Sequence, residues 1–338
     1  MSYRFLLIGE QPQKSSPLLT WAKSLQRTGN SVEFIPDLGK ISTRYLIQKI
    51  KETDAVIFQG YKDISLYEIR QLSLVSIFNK PLIRKWSGSD VLYCYNYKKT
   101  YKRSKLLNNL VSQNISSETE SLINELKKIN FYCTLIKPIL SEPINFPVTN
   151  KNLPQSVLVY LPDGRENFYG YNQVNQLIPL FRNLHFYIIA NTKNLFDIYP
   201  NVTNLGWQDD LDKVWKKTGC LLRLTEHDGV SRMVCEALVR GKYIIFSQKL
   251  DGCWQATNID SAKQHLTNFS KIQTINIKGL KAAKKLLTPH NDKILLEKIL
   301  ASKRYISYYT KFKCFLIFIL TSFLIITSNN NESSNKEN

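Results

Sequence analysis

Short apolar runs, each closed by a Gly or a polar turn and each followed by a helix-period stretch, constrain this chain more than anything else in it. "YRFLLIG" (3–9) is too short and too evenly apolar for a surface helix and predicts a buried strand. "SPLLTWAKSLQRTGNSVEFI" then gives a helix from about Pro17 to Thr28, with Leu18, Leu19, Ala22 and Leu25 on one face, a Gly29 stop and a second strand from Val32 to Ile35. "DAVIFQG" (54–60) and "KPLIRKWSG" (80–88) are the third and fourth strands. Apolar strands separated by helices predict a parallel sheet covered on both faces, because a parallel pair needs a long crossover and the helix supplies it.

The pattern stops at "IKPILSEPINFPVTNKNLP" (136–154), which has four prolines and no helical period and reads as a linker. It then restarts. "SVLVYLP" (156–162), "HFYIIAN" (185–191), "CLLRLT" (220–225) and "KYIIFS" (242–247) are strands. "YNQVNQLIPLFRNL", "DDLDKVWKKTG" and "VSRMVCEALVRG" are the helices between them. The expected fold class is therefore α/β, with two Rossmann-like domains facing each other across a cleft. The expected division is 1–145, 146–310 with a closing C-terminal helix, and an apolar tail with a polar end at 311–338. Ligands of such sheets bind at the carboxyl ends of the strands, which places the site in the cleft.

With 46 Lys and Arg against 27 Asp and Glu, the chain carries a net charge of +19 and has affinity for phosphate in some form. Scattered surface lysines also serve solubility alone. The six cysteines form no CxxC and no Cys/His cluster at zinc spacing, and the four histidines are dispersed, so no metal site is expected. With a start that lacks a signal-peptide pattern, this predicts a cytoplasmic protein. "CFLIFILTSFLIITS" (314–328) is uncharged and follows Lys311 and Lys313. As a helix it spans roughly 22 Å, short of a hydrocarbon core of about 30 Å. It fits a membrane-inserting tail, a monotopic anchor on the inner face of a membrane, or a helix buried on a domain.

Chemistry concentrates in "LTEHDGVSRMVCEALVRGKYIIFS" (224–247). Glu226-His227-Asp228-Gly229 forms the loop at the carboxyl end of a strand, and the segment from Val230 to Arg240 is the helix that follows. Unpaired N–H groups and the partial positive charge of a helix start suit a diphosphate. Gly229 admits close backbone approach, and Ser231 is placed to cap the helix or bond a phosphate oxygen. Glu236, in the second turn, can accept both hydroxyls of a ribose, which a neutral side chain cannot do as well.

This stretch resembles the nucleotide-sugar signature of GT-B glycosyltransferases, especially the retaining group called glycosyltransferase family 4: an acid, seven residues, a Glu followed by Ala, then Gly and an apolar strand. Asp228 stands at the first acid position, where the family usually has Glu, and Glu236 at the second. Gly241 matches, while Lys242 and Tyr243 replace the usual Pro. "NVTNLGWQDDLDKVWKKTG" (201–219) is similar to the family segment whose Gly-containing loop borders the nucleobase, which implicates Gly206 and Trp207. "KPLIRKWSGSDVL" (80–92) is similar to the N-domain strand and loop facing the cleft, implicating Gly88, Ser89 and Asp90 on the acceptor side. "LVYLPDGRENFYG" (158–170) resembles the first strand and loop of the donor domain. There Arg165 matches the family Arg, and Tyr169-Gly170 stands where Lys-Gly is common.

The resemblance implies a glycosyltransferase that moves a sugar from a nucleoside-diphosphate sugar to a glycan or lipid-linked acceptor, with retention, in cell-surface polysaccharide biosynthesis. It implies no permanently bound cofactor and no metal. Asp228, Arg165 and Arg232 would serve the reacting centre. Glu236, Ser231, Gly229, Val230, Glu226, His227, Gly206 and Trp207 would hold the donor. An anionic membrane surface is a further expected partner, and nucleic acid is not. Two other readings remain: a GT-B descendant that binds without turnover, motivated by the missing Lys, and a basic nucleic-acid-binding protein, motivated by "YCYNYKKTYKRSKLL" (93–107).

Overall fold

The computed structural model describes residues 2–9, 17–59, 65–140, 152–302 and 308–334, with the side chains of the last helix described from 311 to 325. Among them the chain forms two compact units, one of Met1–Glu142 with Pro289–Asn338 and one of Pro143–Thr288. Most of the Pro-punctuated linker at 136–154 lies outside the described residues.

In the first unit β1 (Arg4–Ile8), α1 (Pro17–Arg27), β2 (Ser31–Ile35), α2 (Thr43–Glu52), β3 (Ala55–Gln59), α3 (Leu66–Ile77), β4 (Leu82–Trp86), α4 (Gly88–Asn96), α5 (Lys98–Asn108), β5 (Gln113–Ser116), α6 (Glu120–Lys128) and β6 (Thr134–Leu135) follow in order. The strands pair in parallel as β2-β1-β3-β4-β5-β6. Alternate side chains of one strand enter opposite cores, which is why the runs are continuously apolar. Leu6, Ile8, Val56 and Phe58 pack with α2 and α3, while Phe5, Leu7, Ala55 and Ile57 pack with α1.

The second unit runs β7 (Ser156–Tyr160), α7 (Tyr171–Leu177), β8 (His185–Ile189), β9 (Val202–Asn204), α8 (Leu211–Lys217), β10 (Cys220–Arg223), α9 (Arg232–Val239), β11 (Tyr243–Phe246), β12 (Trp254–Gln255), α10 (Ile259–Phe269) and α11 (Ile277–Leu286). Its sheet is again parallel, ordered β12-β11-β10-β7-β8-β9. The chain winds outward from β7 in one direction to β9, then returns to β10 on the other side of β7. The order therefore reverses between β7 and β10, the topological switch point of a doubly wound sheet.

After Thr288 the chain belongs to the first unit, whereas the sequence grouping of 146–310 carried it with the second. The reason is a set of side chains. In α12 (His290–Ala301), Leu295 and Ile299 enter the core against α1. Asp292 accepts from Arg27 Nε at 2.7 Å, Arg27 Nη2 at 2.9 Å and Ser24 Oγ at 2.7 Å. Residues 314–328 fall within α13 (Tyr308–Ser334), which lies along α3 through Cys314, Ile317 and Thr321. Among the described residues no helix is long and apolar enough to cross a membrane.

Candidate functional site

The switch point of the second unit determines where its loops meet. β7 and β10 are hydrogen-bonded neighbours, so the loop after β7 (161–170) and the loop after β10 (224–231) leave the same edge side by side. They are joined directly: Glu226 N donates to Phe168 O at 3.0 Å. Gly170 makes this approach possible. Its φ is +85°, and a Cβ there would stand 2.5 Å from Leu224 O, closer than a side chain can come.

This junction gathers several of the sequence-predicted residues. The Arg165 guanidinium lies over the Phe168 ring at 4.5 Å and near Tyr169 at 5.4 Å. Arg223 also lies near Tyr169, at 5.2 Å, and its Nε donates to Asp228 Oδ2 at 2.6 Å. Asp228 Oδ1 accepts from Gly229 N at 3.0 Å, so both of its oxygens are engaged in shaping the loop. Arg223 is almost wholly buried; burial alone would lower its pKa, but Asp228 and the two neighbouring tyrosines hold it above its ordinary value. Burial likewise raises the Tyr160 phenol. Sequence reading missed Arg223. Its signal was a lone Arg in an otherwise apolar strand, five residues before Asp228.

α9 begins at Ser231, the N-cap, whose side chain makes no capping bond. The residue type that ordinarily supplies an acceptor to the first turn is present but does not use it there. Gly229 is buried, Val230 and His227 are half-buried, and Glu226 is exposed at the loop tip. Glu236 is held on two sides. Its Oε1 accepts from Arg232 Nε at 2.7 Å, one turn earlier, and Oε2 accepts from Trp215 Nε1 of α8 at 3.3 Å. Arg240 ties the same two helices, donating to the Glu236 carbonyl at 3.1 Å and to Asp212.

Gly206 and Trp207 follow β9. Gly206 takes a φ of +61° and its carbonyl accepts from Ala190 N at 2.7 Å, which turns the chain toward α8. Trp207 is 61% exposed, with Nε1 donating to Asp209 at 3.3 Å. Gly88, Ser89 and Asp90 belong to the first unit, at the carboxyl end of β4. Asp90 Oδ2 accepts from Ser87 N at 3.1 Å in a capping box. Burial raises its pKa to about 7 against the opposing pull of Lys85 and Arg84. Among the described residues no group of three His, Cys, Asp or Glu side chains is placed to hold a metal ion.

No family model matches the sequence, and no curated protein matches it. Solved structures do resemble its fold. Anabaena HepE, in complex with UDP and glucose, superposes with a TM-score of 0.67 at 13% identity, covering 89% of this chain and 100% of that one. A glycosyltransferase from Rickettsia africae gives 0.63 at 10% identity, with 89% and 98% coverage. A UDP-GlcNAc 2-epimerase from Neisseria meningitidis bound to UDP-GlcNAc gives 0.53 at 14%, with 88% and 99% coverage. The chain has the α/β fold of two Rossmann-like domains known as GT-B.

Proposed function

We propose that the protein is a glycosyltransferase that moves a sugar from a nucleoside-diphosphate sugar to a glycan or lipid-linked acceptor in the making of a cell-surface polysaccharide. One observation carries this reading. At the β7/β10 switch point, the loop after β10 is bonded to the loop after β7 and leads into a helix start whose N-cap side chain makes no capping bond, with a carboxylate held in the second turn of that helix. A helix start favours a diphosphate, and a carboxylate one turn inward favours the attached ribose. The neighbours bound to UDP and to UDP-GlcNAc make uracil the first base to try.

In this reading Glu236 accepts the ribose hydroxyls, and Ser231 with the backbone from Gly229 to Arg232 seats the diphosphate. Gly206 and Trp207 border the base, while Glu226 and His227 face the sugar. Charge builds on the diphosphate as the glycosidic bond breaks, and fixed cations already in place stabilise it without reorganisation. Arg165 and Arg232 serve that purpose. Asp228 acts on the site by orienting Arg223 and the Gly229 backbone. Gly88, Ser89 and Asp90 serve the acceptor. Retention of configuration and independence of metal belong to the same proposal. Tyr169, where Lys is common, favours a second reading in which the same site binds the donor without turnover.

Purified protein is to be melted with a panel of nucleoside-diphosphate sugars, then assayed for release of nucleoside diphosphate with and without glycan acceptors. A donor at a hundred times its Kd adds about 2.7 kcal/mol of stability, roughly 5–10 °C for a unit of this size. Stabilisation with acceptor-dependent release supports transfer, and stabilisation without any release supports the second reading. If no nucleotide sugar shifts the melt, both readings fail.

A further inference from the structure

We infer that the outer face of α13 is a docking surface for an anionic lipid bilayer, on which the helix lies flat. α13 has two faces. One, formed by Cys314, Ile317 and Thr321, is buried on α3. The other carries Phe315, Leu316, Ile319, Leu320, Phe323 and Leu324, spaced i, i+1, i+4, i+5, i+8 and i+9, and these are 41–64% exposed. Phe312, 58% exposed, extends the stripe by one turn. A helix packed on a domain ordinarily turns a polar face to water. Six or seven large apolar side chains in one outward stripe expose on the order of 500 Å² or more, at the upper end of what a monomer exposes and the size of patch that often meets a partner.

Charge selects the occupant. The C-terminal end of α5 reaches α13: Leu107, with Leu110 just beyond the helix, shares the core cluster of Cys314 and Ile317, and Lys313 Nζ donates to Asn109 Oδ1 at 3.1 Å. α5 exposes Lys98, Lys99, Lys102 and Lys105 with no acidic residue in its length. A symmetric dimer through the stripe would bring together two copies that each carry a net charge of +19. An anionic lipid surface instead attracts them while burying the stripe in the headgroup–acyl boundary. The inner face is committed to α3, so the contact is in the plane of the membrane and does not cross it.

The test is sedimentation of full-length protein with vesicles of phosphatidylglycerol and phosphatidylcholine, against vesicles of phosphatidylcholine alone. Wild type is expected to pellet with the former at physiological salt and to release as salt rises. Leu316→Glu with Phe323→Glu should lower partitioning by roughly tenfold or more per site, from the loss of apolar burial. Lys102→Gln with Lys105→Gln, which leaves the stripe intact, should lower it roughly fivefold per site. Equal binding to both vesicle types, or binding unmoved by both variants, overturns the proposal. So does a concentration-dependent dimer that the Leu316/Phe323 variant dissolves. Melting with a nucleoside diphosphate, measured on each variant, reports the second unit separately, so loss of vesicle binding with that shift retained is distinct from failure of the donor site.

Discussion

Replacing Glu236 with Ala separates a ribose-binding carboxylate from a helix-surface residue, because the two roles predict costs of different size. In the structure the carboxylate holds Arg232 at 2.7 Å across one helical turn, with Arg232 39% exposed, and accepts a long 3.3 Å bond from Trp215. An i,i+4 pair of that kind contributes about 0.3–0.5 kcal/mol. The Trp215 bond adds about 1 kcal/mol. The folded protein should therefore lose only about 1–1.5 kcal/mol, a melting shift of a few degrees. A carboxylate that accepts two ribose hydroxyls contributes much more to binding. At about 1.5–3 kcal/mol for each charge-assisted bond, the loss is 3–6 kcal/mol, or roughly 100- to 10,000-fold in Kd. Calorimetric titration with the stabilising nucleoside diphosphate, on wild type and variant at one pH and salt, reads the difference directly. An affinity within about threefold of wild type, in a variant that still melts cooperatively, would refute the ribose contact.

Two further outcomes follow from backbone and burial. Gly170→Ala puts a methyl 2.5 Å from Leu224 O at a φ of +85°, so it should cost about 2–4 kcal/mol and weaken nucleotide binding along with thermal stability; an unchanged melting temperature contradicts the loop contact. Lys242 is buried, and burial, reinforced by Arg240, pushes its ammonium from an ordinary 10.5 down to about 8. Between those values the unfolded chain binds more protons than the folded one, so wild-type stability should rise with pH across that window. Lys242→Met should abolish the rise and be the more stable protein below pH 8; parallel stability curves for the two proteins would show the side chain to be solvated.

Much of the fold was legible because buried parallel strands carry an unmistakable signature. "AVIF" between a helix and a Pro-Leu-Ile run can hardly be anything else, and β1, β3, β7, β8 and β10 lie inside the runs read from sequence. The short edge strands β6, β9 and β12 were not legible. Val202–Asn204 has half-buried residues and few neighbours, so its pairing comes from β8 and not from its own composition. The return of α12 was equally hidden: Asp292 and Arg27 are 265 residues apart, and no local pattern announces their bond. For the candidate site, residue types and spacing pointed to the 224–236 stretch. The resemblance also singled out the 158–170 stretch, and the strand order is what sets the two loops side by side. Periodicity cannot say that β7 and β10 are neighbours.

Arg223 sharpens the chemistry of that junction. A buried ion pair is a poor source of stability, since taking both charges out of water costs about as much as their attraction returns. Arg223 is buried at the carboxyl end of β10 beside the core cluster of Leu222 and Leu224, and its partner Asp228 is half-buried in the loop beyond. Their value must therefore lie in what they hold in place. Asp228 fixes the Gly229 N–H and the Arg223 guanidinium at once, and Arg223 comes within 5.2 Å of the Tyr169 ring. The Arg165 and Arg223 guanidinium groups lie 5.4 and 5.2 Å from that ring. A delocalised guanidinium tolerates burial better than an ammonium and cannot shed its proton. Two guanidinium groups, one of them paired with Asp228, are thus fixed beside one aromatic ring at the β7/β10 switch point.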